Sequence, residues 1–345
     1  MSLRTRLFER PAPGRMALVP KLATYGALAV WAFFVLFPLY WVIITSFKLP
    51  IDVASGPFYA PFIDYQPSLH AWRYLIVEQG HDTLRPYLNS LVIASCSTLL
   101  SVGIGAMAAY ALTRIAYKPS IGGIVLFILA VALVVLLVLF AHVDWRLAVF
   151  IALMLFLLAL RGFDRRFKAR LGNADILFWI ISQRILPPVV AAIPIYIMFQ
   201  QLGLLDTHVA LIITYMTVNL PIVVWLLYDF FDGIPREIEE SAALDGASRY
   251  RIFGEIMLPL ARPGLIATTL LVLILSWNEY LLALFLSTAN AQTMPLLVAA
   301  QNATRGPQWW TMSVLIVTMI LPVILLTLAL QRFIAKGLLL GAVKG

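Results

Sequence analysis

The feature that most constrains this chain is the length of its apolar runs. From Leu22 to Phe47 there is no charged residue, and comparable runs recur to the end of the sequence. A helix needs about 20 apolar residues to cross a hydrocarbon core of about 30 Å. By that rule the sequence predicts eight spans, at about 23–47, 87–113, 120–141, 146–161, 175–202, 208–230, 264–287 and 311–334. The expected fold class is all-α, a polytopic transmembrane helical bundle. Composition agrees: 62% of residues are hydrophobic and 12% charged, more apolar surface than a soluble fold of this size can bury. The first run is too long for a signal-peptide core and lacks a small-residue cleavage site, so it reads as an uncleaved span. The short fourth span follows the third through residues 142–146 and forms a tight helical hairpin with it.

Basic residues set the orientation. Nineteen of the 25 Lys and Arg residues fall on one side of these eight spans, five on the other, and Arg184 lies inside a span. This bias predicts that both termini are cytoplasmic. The net charge of +8 would point to nucleic acid in a soluble protein. Here the basic residues lie between apolar runs, so the expected surface is membrane lipid and no nucleic acid partner is implied.

Ser97, Ser101, Gly105, Ala109 and Thr113 recur every four residues, a stripe on which a second helix can approach closely. Cys96 is the sole cysteine, so no intrachain disulfide exists, and no metal-ligand spacing is present. The external segment 48–86 is rich in aromatics, among them Phe58, Tyr59, Phe62, Tyr65, Trp72 and Tyr74. It reads either as an interfacial aromatic belt or as a docking surface for a periplasmic partner.

The segment 232–263 differs from every other loop. Pro235 suits a first helical position, and Glu237, Glu239 and Glu240 follow where the helix dipole favours acids. Gly246 can adopt the left-handed conformation that ends a helix, and Ser248 can cap a second one. Tyr250, Phe253 and Met257 would share a face of that second helix. Pro259 and Pro263 close it before the next span. Two short helices about a glycine turn make a rigid knob with a mixed acidic and apolar surface. A loop lying on anionic lipid would be basic throughout.

These residues resemble the EAA loop of ABC importer permeases, in which Glu-Ala-Ala is followed by three residues, Gly, nine residues and Ile-x-Leu-Pro. Glu240, Ala242, Gly246, Ile256, Leu258 and Pro259 fall at those spacings, with Ser241 in place of the first Ala. The likeness extends to the second permease subunit of maltose-type carbohydrate importers. It includes Trp277-Asn278-Glu279-Tyr280, the Gln183-to-Pro188 segment, Ile193-Pro194-Ile195-Tyr196, Thr45-to-Lys48 and the ending from Gln331. Residues about 116–174 lie outside it.

The resemblance implies a six-span importer core with an inserted hairpin. It divides the chain into a cytoplasmic segment 1–22, two spans with a periplasmic loop over 23–113, and the hairpin with a basic cytoplasmic loop over 114–174. A permease core with its coupling loop at 232–263 occupies 175–335, and 336–345 is a cytoplasmic tail. It also implies an inner-membrane location and a set of partners: a second permease subunit as heterodimer, an ATPase dimer and a periplasmic sugar-binding protein. The chain has no Gly-x-x-x-x-Gly-Lys-Ser/Thr loop, so ATP and Mg would be held by the partner ATPase, and no catalytic residue or cofactor is expected on this chain.

Coupling to that ATPase is expected from Glu240 and Gly246, supported by Ala242, Asp245, Ile256, Leu258 and Pro259. Polar and aromatic span residues are candidates for the solute path, since polar groups are costly in lipid: Arg184, Tyr196, Gln200, Tyr215, Asn219, Trp277, Asn278, Glu279 and Tyr280. Arg184 reads equally as a structural lock for carbonyls freed by Pro187 and Pro188. A proton- or sodium-driven carrier would need several intramembrane acids and inverted repeats, whereas Glu279 is the only acid clearly within a predicted span. An intramembrane enzyme would need a catalytic constellation, and the four histidines have none.

Overall fold

The computed structural model describes residues 18–163, 170–302 and 308–342. Among these residues every regular element is a helix. The basic residues Arg4, Arg6, Arg10, Arg15, Arg165, Arg166, Lys168, Arg305 and Lys344 lie outside the described residues.

The helices are α1 (Leu18–Thr45), α2 (Pro50–Ser55), α3 (His70–Arg73), α4 (Gly80–Arg114), α5 (Ile121–Leu139), α6 (Trp145–Phe163), α7 (Asn173–Ile185) and α8 (Pro188–Gln201). After them come α9 (His208–Asp232), α10 (Arg236–Leu244), α11 (Arg249–Leu260), α12 (Arg262–Trp277), α13 (Leu281–Leu286), α14 (Met294–Ala300) and α15 (Trp309–Ala342). By length and composition α1, α4, α5, α9 and α15 can each cross a membrane, and the bent pairs α7–α8 and α11–α12 raise the number to seven. With α6, which packs along α5 and brings Phe156 to 5.9 Å from Phe127, the helices account for the eight expected spans. The chain is a helical, multi-pass membrane protein.

Two spans depart from the sequence reading. The run 175–202 is not one helix: α7 and α8 meet at 89°. Leu186 is extended because the residue before a proline avoids the helical region, and Pro187 and Pro188 then remove two consecutive N–H donors. The run 264–287 also breaks, for α12 stops at Trp277 and α13 restarts at Leu281. Asn278 donates to the Ile274 carbonyl at 2.8 Å, and Glu279 accepts the Leu282 N–H at 3.0 Å. The Asn278 side chain adds a second bond to a carbonyl that its own N–H already reaches at 3.1 Å, and Glu279 takes up an N–H of the first turn of α13. Glu279 thus lies in a break, not inside a continuous span.

The described residues form two compact units. One holds residues 18–90, 288–302 and 308–326, and its buried cluster is Ala71, Leu75, Met294, Val314 and Leu315. In it the aromatic segment folds back on the end of α1. Tyr59 lies 5.2 Å from Trp41, Trp72 stacks on Phe47, and the Tyr65 hydroxyl donates to the Ile44 carbonyl. Lys48 is 2% exposed; its ammonium donates to the Phe58 carbonyl at 2.6 Å and lies 4.3 Å from the Trp41 ring centroid. Burial pushes its pKa down, a tendency opposed by Asp52 and Asp64.

The other unit holds, of the described residues, 91–163, 170–287 and 327–342. Its core joins Ala106 and Ala109 of α4 to Val223, Val224, Leu227 and Phe231 of α9, and to Ile252, Met257, Ala261 and Val272. The small-residue stripe serves this packing. The Ser101 hydroxyl reaches the Met216 carbonyl at 3.2 Å, and a Cβ on Gly105 would come within 2.4 Å of Val223. Gly264 has the same duty at the start of α12, where a Cβ would fall 2.3 Å from the Phe230 ring.

The α5–α6 hairpin leaves and rejoins this unit at one place. The Leu171 N–H donates to the Pro119 carbonyl at 3.0 Å, and Asn173 donates to the carbonyls of Leu112 and Ile115 at the end of α4.

Candidate functional site

The knob forms much as its residues dictate. Pro235 caps α10 one position ahead of the expected first helical place, with φ −57° and ψ 136°, and Glu237 and Glu239 occupy the first turn. At the far end Gly246 takes φ +82°, and its N–H and that of Ala247 close on the carbonyls of Ala243 and Ala242 at 3.0 Å each. That is the left-handed helix end the glycine allows. No atom lies within 4 Å of a Cβ placed on Gly246, so backbone conformation alone demands glycine there. Ser248 caps α11 by accepting the Arg251 N–H at 3.3 Å.

The second helix corrects the expected face. Tyr250, Phe253 and Met257 do not align: Met257 is fully buried, Phe253 is partly buried, and Tyr250 is 90% exposed. The cause is a π turn over Ile252–Met257, which spreads the winding so that Ile252 and Met257 face the core together. Leu244, across the glycine, is also 90% exposed. The tip therefore presents Leu244, Asp245, Gly246 and Tyr250, all exposed, with exposed Glu240 behind them. Ala242, Ile256, Leu258 and Pro259 are half-buried and join the tip to its base.

The base is rigid for identifiable reasons. Tyr110, Phe231 and Phe253 form a ring cluster with centroid separations of 5.1–6.2 Å. Arg114 at the end of α4 pairs with Glu239 of α10, and the Tyr110 hydroxyl donates to the same carboxylate at 2.8 Å. Arg114 also donates to the carbonyls of Phe231 and Ile234, while Arg236 donates to the Thr113 carbonyl. Sequence reasoning missed this group. Arg114 counted only as an orientation charge and Glu239 only as a dipole partner, and nothing local links positions 125 residues apart. A cavity of about 430 Å³ opens beside the pair, lined by Tyr110, Arg114, Glu239, Glu240, Ala243 and Arg249 among others.

The second candidate region lies where α7, α9 and α12 meet. Arg184 donates to the Val218 carbonyl at 3.1 Å and lies 3.4 Å from the Asn219 side-chain oxygen. Asn219 donates to Ser276 at 3.0 Å, and the Tyr215 hydroxyl reaches the Glu279 carbonyl at 3.4 Å. Asn219, Tyr215, Ser276 and Trp277 are buried. This polar chain links both helix breaks. The carbonyl that Arg184 meets is on α9, in place of one freed by Pro187 or Pro188 as the sequence suggested. Tyr196 is half-buried, and Gln200, Asn278 and Tyr280 are exposed. Ser276 was not singled out from sequence, although a serine in an apolar helix is a usable signal.

Residues 101–339 match the family described as "Binding-protein-dependent transport system inner membrane component". A probable ABC transporter permease protein, y4oR, of Sinorhizobium fredii is 30% identical over 91% of this chain and 92% of its own length. The trehalose/maltose transport system permease protein MalG of Thermococcus litoralis is 27% identical over 94% and 96%. The diacetylchitobiose uptake system permease protein NgcG of Streptomyces coelicolor is 25% identical over 92% and 87%.

Proposed function

Because the chain belongs to the family of binding-protein-dependent transport system inner membrane components, we propose that it forms half of the translocation path of an importer for a sugar or sugar alcohol. It is an ABC-type permease subunit, a transport component and not itself an enzyme. Its partners in this reading are a second permease subunit, an ATPase dimer that holds ATP and Mg, and a periplasmic sugar-binding protein. Both termini face the cytoplasm in this reading, which the distribution of basic residues supports.

One observation carries the coupling role. Leu244 and Tyr250, two large side chains each 90% exposed, flank a glycine turn on a base welded into the core. A strongly exposed apolar pair beside charged groups on a rigid knob suits a socket on another protein. Glu240, Asp245 and Gly246 share that tip; Ala242, Ile256, Leu258 and Pro259 pass its displacement inward. Closure of the ATPase dimer would then move the spans as rigid bodies between two states.

The solute path in this reading runs past the two helix breaks. Non-helical backbone at membrane depth belongs beside a cavity or protein, where its polar groups find partners. Asn219, Tyr215, Asn278 and Glu279 offer hydrogen-bonding groups; Trp277, Tyr280 and Tyr196 offer aromatic faces. Arg184 and Gln200 complete the candidate set. The relatives named for trehalose/maltose and diacetylchitobiose transport support a carbohydrate.

The test is purification of this chain through a tag from its own host. An ATPase and a second permease should accompany it, and a cysteine replacing Asp245 should crosslink to the ATPase. A chain that transports solute alone would overturn the assignment. A copurifying binding protein whose ligand is not a carbohydrate would overturn only the solute class.

A further inference from the structure

The proposed knob is tied to more than the two helices that flank it in sequence. Arg114 and Glu239 have side chains only 10% and 13% exposed. The Glu239 carboxylate is shared between the Arg114 guanidinium and the Tyr110 hydroxyl, so both its oxygens are occupied by α4. The remaining reach of Arg114 goes to the carbonyls of Phe231 and Ile234, at 3.0 and 2.8 Å, around the C-terminal end of α9. A cation there also meets the negative end of the helix dipole. In the reverse direction Arg236 of α10 donates to the Thr113 carbonyl at 3.1 Å. Two arginines thus stitch α4 and α10 together, each reaching from one helix into the other.

We propose that Arg114 and Glu239 are positioning residues that make α4 a direct receiver of force applied to the knob. The inference rests on the coupling role proposed above but assigns it a route that the loop motif does not contain. Without the pair, α4 would be held to α10 only by the Arg236 bond to the Thr113 carbonyl and by apolar packing. Apolar contacts tolerate sliding, whereas a shared carboxylate between a guanidinium and a phenol has defined geometry. Tyr110 belongs to the same device, as the second donor to Glu239.

Cys96 supplies a reporter, since it lies on α4, is partly exposed and is the chain's only cysteine. The complex would be purified with its copurifying subunits, and Cys96 labelled with a maleimide in the presence and absence of Mg-ATP and orthovanadate. In the wild type, nucleotide should change the labelling rate by roughly fivefold or more, the low end of measured coupling between sites. E239Q keeps the shape and removes the charge; the rates should converge to within about twofold. R114K keeps the charge but cannot serve carboxylate and carbonyls together, and should fall between. Y110F removes one donor and should have the smallest effect. Because Y110F and R114K preserve packing, a misfolded E239Q would not hide the answer.

A nucleotide response that survives intact in E239Q and R114K, or is absent from the wild type, overturns the proposal. Crosslinking of D245C to the ATPase in the same preparation separates the two ideas. If crosslinks form while the variants respond normally, the stitch is dispensable and the coupling loop stands. If no crosslinks form, the coupling reading falls and this inference with it.

Discussion

The knob and the α5–α6 hairpin expose apolar side chains for different reasons. In the hairpin exposure is general: Phe127, Leu129, Phe150 and Leu158 are all more than half exposed, and the two helices pack chiefly on each other. Such a surface needs no partner in a bilayer, since hydrocarbon is as apolar as leucine. In the knob the two most exposed apolar side chains, Leu244 and Tyr250, stand among charged neighbours, over a base fixed by rings, ion pair and close-packed glycine. Exposure alone therefore says little. What surrounds the exposed group decides whether it reads as a lipid face or as a contact held ready for protein.

Four variants test that contrast. The largest effect on stability is expected at the base: G264V drives a side chain into the Phe230 ring and should cost about 1–3 kcal/mol or more. Folded yield in detergent would report it, and unchanged yield would mean that α12 is free to shift away from α9. Next is G246V at the tip. No neighbour obstructs it, but φ +82° is unfavourable for a β-branched residue by about 1–2 kcal/mol. Membrane insertion should persist while ATP-driven transport is lost; full transport would break the contrast. Third, L244A with Y250A should shift thermal unfolding by no more than about 0.5 kcal/mol and yet release the ATPase during purification. Last, excision of 121–169 with a short linker should leave ATPase copurification nearly unchanged, because Pro119 and Leu171 already touch. Loss of the ATPase on excision would show that the hairpin, too, serves protein contacts.

Much of this was legible in the sequence because bilayer crossing and helix capping are local rules. Apolar length placed the spans, while Gly246 and Ser248 marked the turn and cap of the knob. The two misread spans share one cause: a run can be long and apolar enough to span and still not be one helix. Pro187 and Pro188 were visible but outweighed by the apolar length around them. At Trp277 no proline or glycine announces the stop, and the side-chain bonds of Asn278 and Glu279, with the Tyr215 hydroxyl on the Glu279 carbonyl, help to hold it. The Arg114–Glu239 pair was illegible in principle, since each residue has a sufficient local explanation and their meeting depends on the tertiary fold.

The π turn at Ile252–Met257 sets a clock for the knob. Each residue of an α-helix advances the winding by about 100°. Deleting one residue inside that turn would restore ordinary winding and swing Tyr250 around the axis by a similar angle. The chain would retain the motif's composition but aim it elsewhere, so a single missing residue could sever subunit matching without removing any recognised side chain.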